Sequence, residues 1–157
     1  TAPDPIVDAV RRRLQAGEPI PFDTVTSARD GIAEVFFTLA AALRGEADDS
    51  FTLLYTRITA YLRPDHGEAV LLTAGLLDQL GQPALAEETY ATIKPDSPSY
   101  HIAEIGRAES LLAQDKTDAA IEVLQSLARS HGNLVAVQTA LGDALRDILD
   151  PTQRGRG

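Results

Sequence analysis

The stretch from Gly67 to Leu134 decides the fold once it is cut in two and the halves are aligned: GEAVLLTAGLLDQLGQPALAEETYATIKPDSPSY for 67–100 and HIAEIGRAESLLAQDKTDAAIEVLQSLARSHGNL for 101–134. Ala74 stands over Ala108, Leu77 over Leu111, Ala86 over Ala120, Tyr90 over Leu124 and Pro98 over Gly132. The same step of 34 residues carries the first two phases on to Gly142 and Leu145 and the last back to Pro64. Small residues recur at one phase, bulky apolar residues at a second and helix breakers at a third. A period of this length holds two short helices and two turns. Stacked copies bury a continuous core, so the expected fold is all-α, a right-handed α-solenoid of antiparallel helix pairs.

Local signals fill in the helices. Asp65 and Glu68 read as a D-x-x-E capping box for a helix reaching about Leu80. Gly81-Gln82-Pro83 breaks it, with Pro83 ready as the first residue of a partner helix carrying Leu85, Ala86, Tyr90 and Ile93 to near Lys94. Ser97-Pro98 pairs an N-cap with a first-turn proline for the next helix, to about Gln114. Thr117 caps another, to about Ser130, and Asn133 the last, to about Leu149. Upstream, Thr26-Ser27 with Asp30 opens an apolar helix through Ile32, Val35, Phe36, Leu39, Ala40 and Leu43. A second runs from about Phe51 to Leu62 and stops at Pro64. Asp4-Pro5 starts a separate helix with Ile6, Val7, Val10 and Leu14 on one face. The predicted organisation is an N-terminal helix and Pro-rich linker over 1–23, helical repeats over 24–150 and a disordered Gly/Arg tail over 151–157. Val and Ile fall at helical spacing with no alternating run, so no strand is expected.

The chain has 157 residues, 44% apolar and 24% charged, enough for a core in one domain. No apolar run approaches the roughly 18 residues of a membrane span. It opens at Thr1 without a basic-then-apolar leader, so it reads as a piece of a longer protein whose signal peptide would lie elsewhere. Without Cys there are no disulfides, thiol nucleophiles or Cys-ligated metals. Net charge is −9, and from Pro64 to Ala128 eleven acidic residues face three basic ones. Such a stretch repels phosphate backbones, so nucleic acid is not an expected partner. Arg11, Arg12 and Arg13 form the one basic cluster and read as a solvated helix face.

No pattern points to chemistry. His66, His101 and His131 sit near turns about one repeat apart, with no i,i+4 pair, and read as surface histidines rather than a metal site. Glu87-Glu88 and Asp48-Asp49 are sequence neighbours, which diverge on a helix, and Asp143 with Asp147 reads as a solvated face. No G-x-S-x-G, P-loop or G-x-G-x-x-G occurs. The expectation is no catalytic, metal or cofactor site: not an enzyme.

With these residues in place, the chain resembles tetratricopeptide repeat (TPR) proteins over about 28–149. Ala74 with Ala86 and Ala108 with Ala120 match the family's small crossing residues, Leu77, Tyr90, Leu111 and Leu124 its bulky fillers, and Pro64 and Pro98 its closing proline, which Gly132 replaces. Leu141-Gly142 and Leu145 fit the first half of a further unit at 135–149. The unit at 28–64 departs from the pattern at Thr52, Thr56 and Thr59, and Val70, Glu104 and Gln138 stand where an early aromatic is usual. Arg outnumbers Lys, as in the exported TPR proteins of alphaproteobacteria. That resemblance implies a bacterial protein, periplasmic, with the cytoplasm as alternative.

By family geometry the first helix of each unit lines a concave wall, and the resemblance assigns to it Glu34, Phe37, Ala41, Arg44, Glu68, Leu71, Gly75, Asp78, Ile102, Ile105, Glu109, Leu112, Thr139, Asp143 and Arg146. Chaperone-binding members clamp a terminal carboxylate with Lys, Arg and Asn. Here Leu71, Gly75, Ile105, Glu109, Thr139 and Asp143 occupy those sites, so that clamp is absent. An apolar floor with acidic rims implies a protein–protein interaction scaffold holding a peptide segment or helix, apolar with basic residues. The alternative is an accessory domain positioning an enzyme outside this stretch. The last helix lacks its partner, and Val137, Leu141, Leu145 and Ile148 on its open face predict weak self-association.

Overall fold

The computed structural model describes residues 5–18 and 25–149. They form α1 (Pro5–Gln15), α2 (Ala28–Leu43), α3 (Asp49–Leu62), α4 (Gly67–Gln79), α5 (Pro83–Tyr90), α6 (Tyr100–Ala113), α7 (Thr117–His131) and α8 (Val135–Leu149), with no strand among the described residues. From α2 onward each helix packs on the next, and α4, α6 and α8 also touch one another in series. This is an α-solenoid: antiparallel pairs stacked so that alternate helices share a face. The expected cap at Asp4, most of the expected linker and the tail lie outside the described residues.

The turns show how the repeat closes its helices. Gly81 ends α4 with φ +70°, and Asp115, 34 positions on, ends α6 with φ +60°. At both, the amide of the following residue donates back five positions, Gln82 to Leu77 at 2.8 Å and Lys116 to Leu111 at 3.0 Å. This is the left-handed C-terminal cap that glycine adopts freely and a side chain adopts only under strain. The second unit therefore keeps the turn but carries Asp in a glycine's place.

Several helix starts differ from expectation. At α2 the reading holds: the Ser27 side chain accepts from the Asp30 amide, and the Asp30 carboxylate accepts from the Thr26 amide and hydroxyl at 3.1 and 2.6 Å. These bonds, the Thr26 hydroxyl foremost, hold the Asp30 carboxyl below the usual range. At α4 the cap is His66 rather than Asp65, its Nδ1 accepting from the Ala69 amide at 3.2 Å. At α6 the helix begins at Tyr100, and Ser97 accepts from the Ser99 amide before it instead of capping it. Thr117 is the first residue of α7 rather than its cap. α5 stops at Tyr90, short of Lys94, and hands over to turns that bring Ile93 into the core.

Close crossing builds the core. Ala74, Ala86 and Ala120 are fully buried and Ala108 is 1% exposed, and they sit in successive clusters with Leu77, Tyr90, Leu111 and Leu124. In the first pair the crossing is made differently. Thr52, Thr56 and Thr59 are buried against α2, where Ala33 and Ala40 are likewise buried. Each threonine returns its hydroxyl proton to a backbone carbonyl, Thr52 to Asp48, Thr56 to Leu53 and Thr59 to Tyr55 or Ala33. A satisfied hydroxyl lets a threonine fill the space of a valine without a stranded donor. Glu104, at the phase of the missing aromatic, is also buried. It lies 3.6 Å from Arg107, which reaches Glu87 on α5 at 3.3 Å.

The ends of the array do not match expectation. Val137 on α8 is fully buried against Leu127 and Leu134, and Leu141 packs onto the cluster around Ala108, leaving Leu145 at 40% exposure. The side chain of Ile148 lies outside the described residues. The larger exposed apolar surface lies at the other end, on Ile32, Val35 and Leu39 of α2 and Phe51 and Leu54 of α3.

Three substitutions test this packing and the turns. Ala108→Leu overfills the crossing and should cost about 1–3 kcal/mol, read as a lower thermal midpoint. Asp115→Gly should raise the midpoint, because about 1 kcal/mol of left-handed strain is removed, whereas Gly81→Ala should lower it by a similar amount.

Candidate functional site

Alternate helices place α2, α4 and α6 along one wall, and a groove of about 420 Å³ opens there. Phe37, Ala41 and Arg44 line it from α2 and its cap, Glu68, Leu71, Gly75 and Gln79 from α4, and Ile102 from α6. Ile102 is 45% exposed, a large apolar side chain left uncovered. Tyr90 reaches the same groove from α5, behind α4 and α6.

Tyr90 reaches it because Gly106 has no side chain. A Cβ at Gly106 would lie 2.5–2.8 Å from the Tyr90 ring and hydroxyl, so the ring crosses the α6 backbone directly. One period earlier stands Leu72, which shows that the glycine is not part of the repeat. The Tyr90 hydroxyl ends 3.9 Å from where a Cβ of Gly75 would be. No hydrogen bond answers it among the described residues.

Two carboxylates share this side of the array. Asp78 on α4 lies with its oxygens 3.0 and 2.9 Å from the Ser110 hydroxyl of α6, which also lies 3.0 Å from the Gly106 carbonyl. Burial raises the Asp78 carboxyl above its ordinary range, and the Ser110 bond partly offsets this. Glu109, the residue before Ser110, is raised by burial and then by the charge of Asp78. The Tyr90 phenol is pushed up to about 12 by burial, with Asp78 and Glu109 adding to it. These three groups feel one another, and among the described residues neither carboxylate pairs with a Lys or Arg.

The predicted wall is only partly assembled in this groove. Glu68, Leu71 and Ile102 line it, and Asp78 and Glu109 flank Tyr90. Ile105 and Leu112 are half-buried and pack onto the cluster of Ala108, Leu111 and Leu124, so they act first as core. Asp143 stands apart on α8, in a separate hollow with Thr139 and Gly142, and pairs with Arg146 at 2.9 Å. Sequence reasoning missed Tyr90, Gly106 and Ser110 as parts of the site. The break in period from Leu72 to Gly106 was the available signal.

His66 corrects the surface-histidine reading. Its side chain is 9% exposed, its ring lies 4.5 Å from that of Phe37, and its Nε2 is 3.3 Å from Glu34 Oε1. Because Nδ1 accepts from Ala69, the Nε2 carries the proton and donates to Glu34, which also receives Arg63 at 2.7 Å. This cluster ties α2 to the α3–α4 turn. His101 and His131 are half-buried, with ring centroids 6.2 Å apart, and Tyr100 lies 6.1 Å from His131. A larger cleft of about 590 Å³ lies between the α3–α4 turn and residues 92–98, walled by Pro64, Ile93 and Pro98.

Comparison with solved structures places the fold. The chain is similar to the MamA RS-1 ArsTM double mutant, with a TM-score of 0.63 and 16% identity over 98% of this chain and 89% of that one. It is similar to the Sgt2 TPR domain from Aspergillus fumigatus, with a TM-score of 0.66 and 14% identity over 88% of this chain and 91% of that one. No family model and no curated protein matches the sequence. The fold is that of a TPR-type α-solenoid.

The acidic pair makes a pH prediction. A carboxyl raised in the folded state holds its proton more tightly there than in the unfolded chain. Its ionisation therefore removes stability as pH rises through the window between the two values, and the loss is complete at neutral pH. Glu109→Gln should raise the thermal midpoint at pH 7, modestly because Glu109 stays solvent-accessible. The gain should vanish below about pH 4, where both forms are protonated. A gain that persists in acid would show that the carboxyl charge is not its source.

Proposed function

We propose that this chain is a non-catalytic protein-interaction scaffold whose concave groove holds a short helix or extended segment of a partner, apolar on one side and carrying Lys or Arg. The observation that carries the reading is the groove itself. Leu71, Ile102, Phe37 and Ala41 leave an apolar floor open on the inner wall with Glu68 lining it, and the charges of Asp78 and Glu109 act on Tyr90 at its edge. Hydrophobic burial supplies affinity in such a site, while the carboxylates select basic partners and speed encounter.

The fold favours this role. The groove lies on helices rather than loops. Among the described residues, no three metal-binding side chains converge. A peptide library selected against the immobilised chain should yield segments that combine apolar residues with Lys or Arg. Their binding should fall tenfold or more on Ile102→Asp, since a buried large side chain is worth about 1.5–3 kcal/mol. Ile102 is a better probe than Ile105, whose replacement also disturbs the core. Selected segments that bind the Ile102→Asp variant as well as the parent would move the binding site off the concave wall.

A further inference from the structure

We propose that Asp78, Glu109 and the hydroxyl of Tyr90 form a slot on the concave wall that takes one arginine or lysine side chain of the bound segment. This rests on the groove being the partner site and names the feature that the partner must carry.

The first support is unanswered charge. Asp78 and Glu109 come from neighbouring units to one side of the array, and each is without an ion pair among the described residues. Asp78 has only the Ser110 hydroxyl, whose single proton leaves most of the carboxylate's acceptor capacity open. Arg107 turns to Glu87 and Glu104 instead. Arg44 lines the groove yet pairs with neither acid. Burial raises both carboxyls, and at Glu109 the charge of Asp78 adds to the rise.

The second support is independent of charge. Tyr90 is only 8% exposed, yet its hydroxyl emerges between Gly75 and Gly106 into the groove without a hydrogen bond. The ring is buried but its hydroxyl opens on the groove, where a ligand N–H can meet it in place of water. Phenol oxygen and carboxylates together offer acceptors to the several N–H donors of a guanidinium or ammonium, and Leu71 and Ile102 beside them suit the aliphatic stem. The oxygen set is poor for a divalent ion, which takes six or more oxygen ligands. Ser110 is a positioning residue, holding Asp78 against α6.

The test uses twin amphipathic peptides identical but for one central residue, arginine in one and its neutral isostere citrulline in the other. They are titrated into the ¹⁵N-labelled full chain at low salt. The arginine twin should shift the Gly75, Gly106 and Ser110 amides saturably and bind about fivefold tighter than the citrulline twin. That preference should disappear in the double variant Asp78→Asn/Glu109→Gln and shrink in Ser110→Ala, with circular dichroism showing the helices intact. Glu109→Gln alone, a change expected to stabilise the fold rather than weaken it, should also shrink the preference. Ile102→Ala, which adds no charge beside the slot, should weaken both twins equally, which separates failure of the groove from failure of the slot. Equal binding of the twins, a preference that survives in the double variant, or no arginine-dependent shift at about 1 mM peptide overturns the slot. So does Ca²⁺ or Mg²⁺ moving the same amides at lower concentration than the arginine twin.

Discussion

Helices cross at the distance their smallest facing residues allow, and in this array those residues are alanines. Ala74 and Ala86 close one crossing, Ala108 and Ala120 the next, and all four are buried to within 1% of complete exclusion from solvent. With so little between the backbones, the bulky residues one turn away are driven into the neighbouring unit. Leu77 and Tyr90 thus fill the space toward α6, and Leu111 and Leu124 the space toward α8. Enlarging any of the four alanines would displace both a pair and the stacking of pairs. In the first unit the same constraint is met by threonines that satisfy their own hydroxyls, a different solution to one steric problem.

Each unit touches only its neighbours, so stability is distributed along the array and its ends remain open. More open apolar surface lies on α2 and α3 than on α8, because Val137 and Leu141 tuck under α7 while no helix among the described residues covers Ile32, Val35 and Leu39.

The groove owes its chemistry to departures from the repeat. Regular positions supply its walls, but Gly106 replaces a leucine of the previous unit, and the missing side chain is what admits the Tyr90 ring. Ser110 then binds Asp78 across the gap between α4 and α6. A face otherwise built for packing gains a polar cluster that packing does not require.

Much of this protein is legible in its sequence. The 34-residue step, the alanine phase and the breakers at Pro64, Gly81 and Gly132 determine an all-helical stack, since helix propensity, turn chemistry and crossing distance are all local or periodic. The Ser27–Asp30 cap is equally local and was readable. The caps at α4 and α6 were misread, because several residues there can each accept a proton and the chain's path through the turn selects one. His66 was taken for a surface residue, yet Glu34, distant in sequence, receives its Nε2 proton. Ile105 and Leu112 of the predicted wall are half-buried, because the stacking of α6 on α7 and α8 packs them onto the core cluster. Only the tertiary structure decided that Asp78, Glu109 and Tyr90 stand together. They lie on three helices, and the rotation of one unit on the next, set by packing along the whole interface, brings them to the same side.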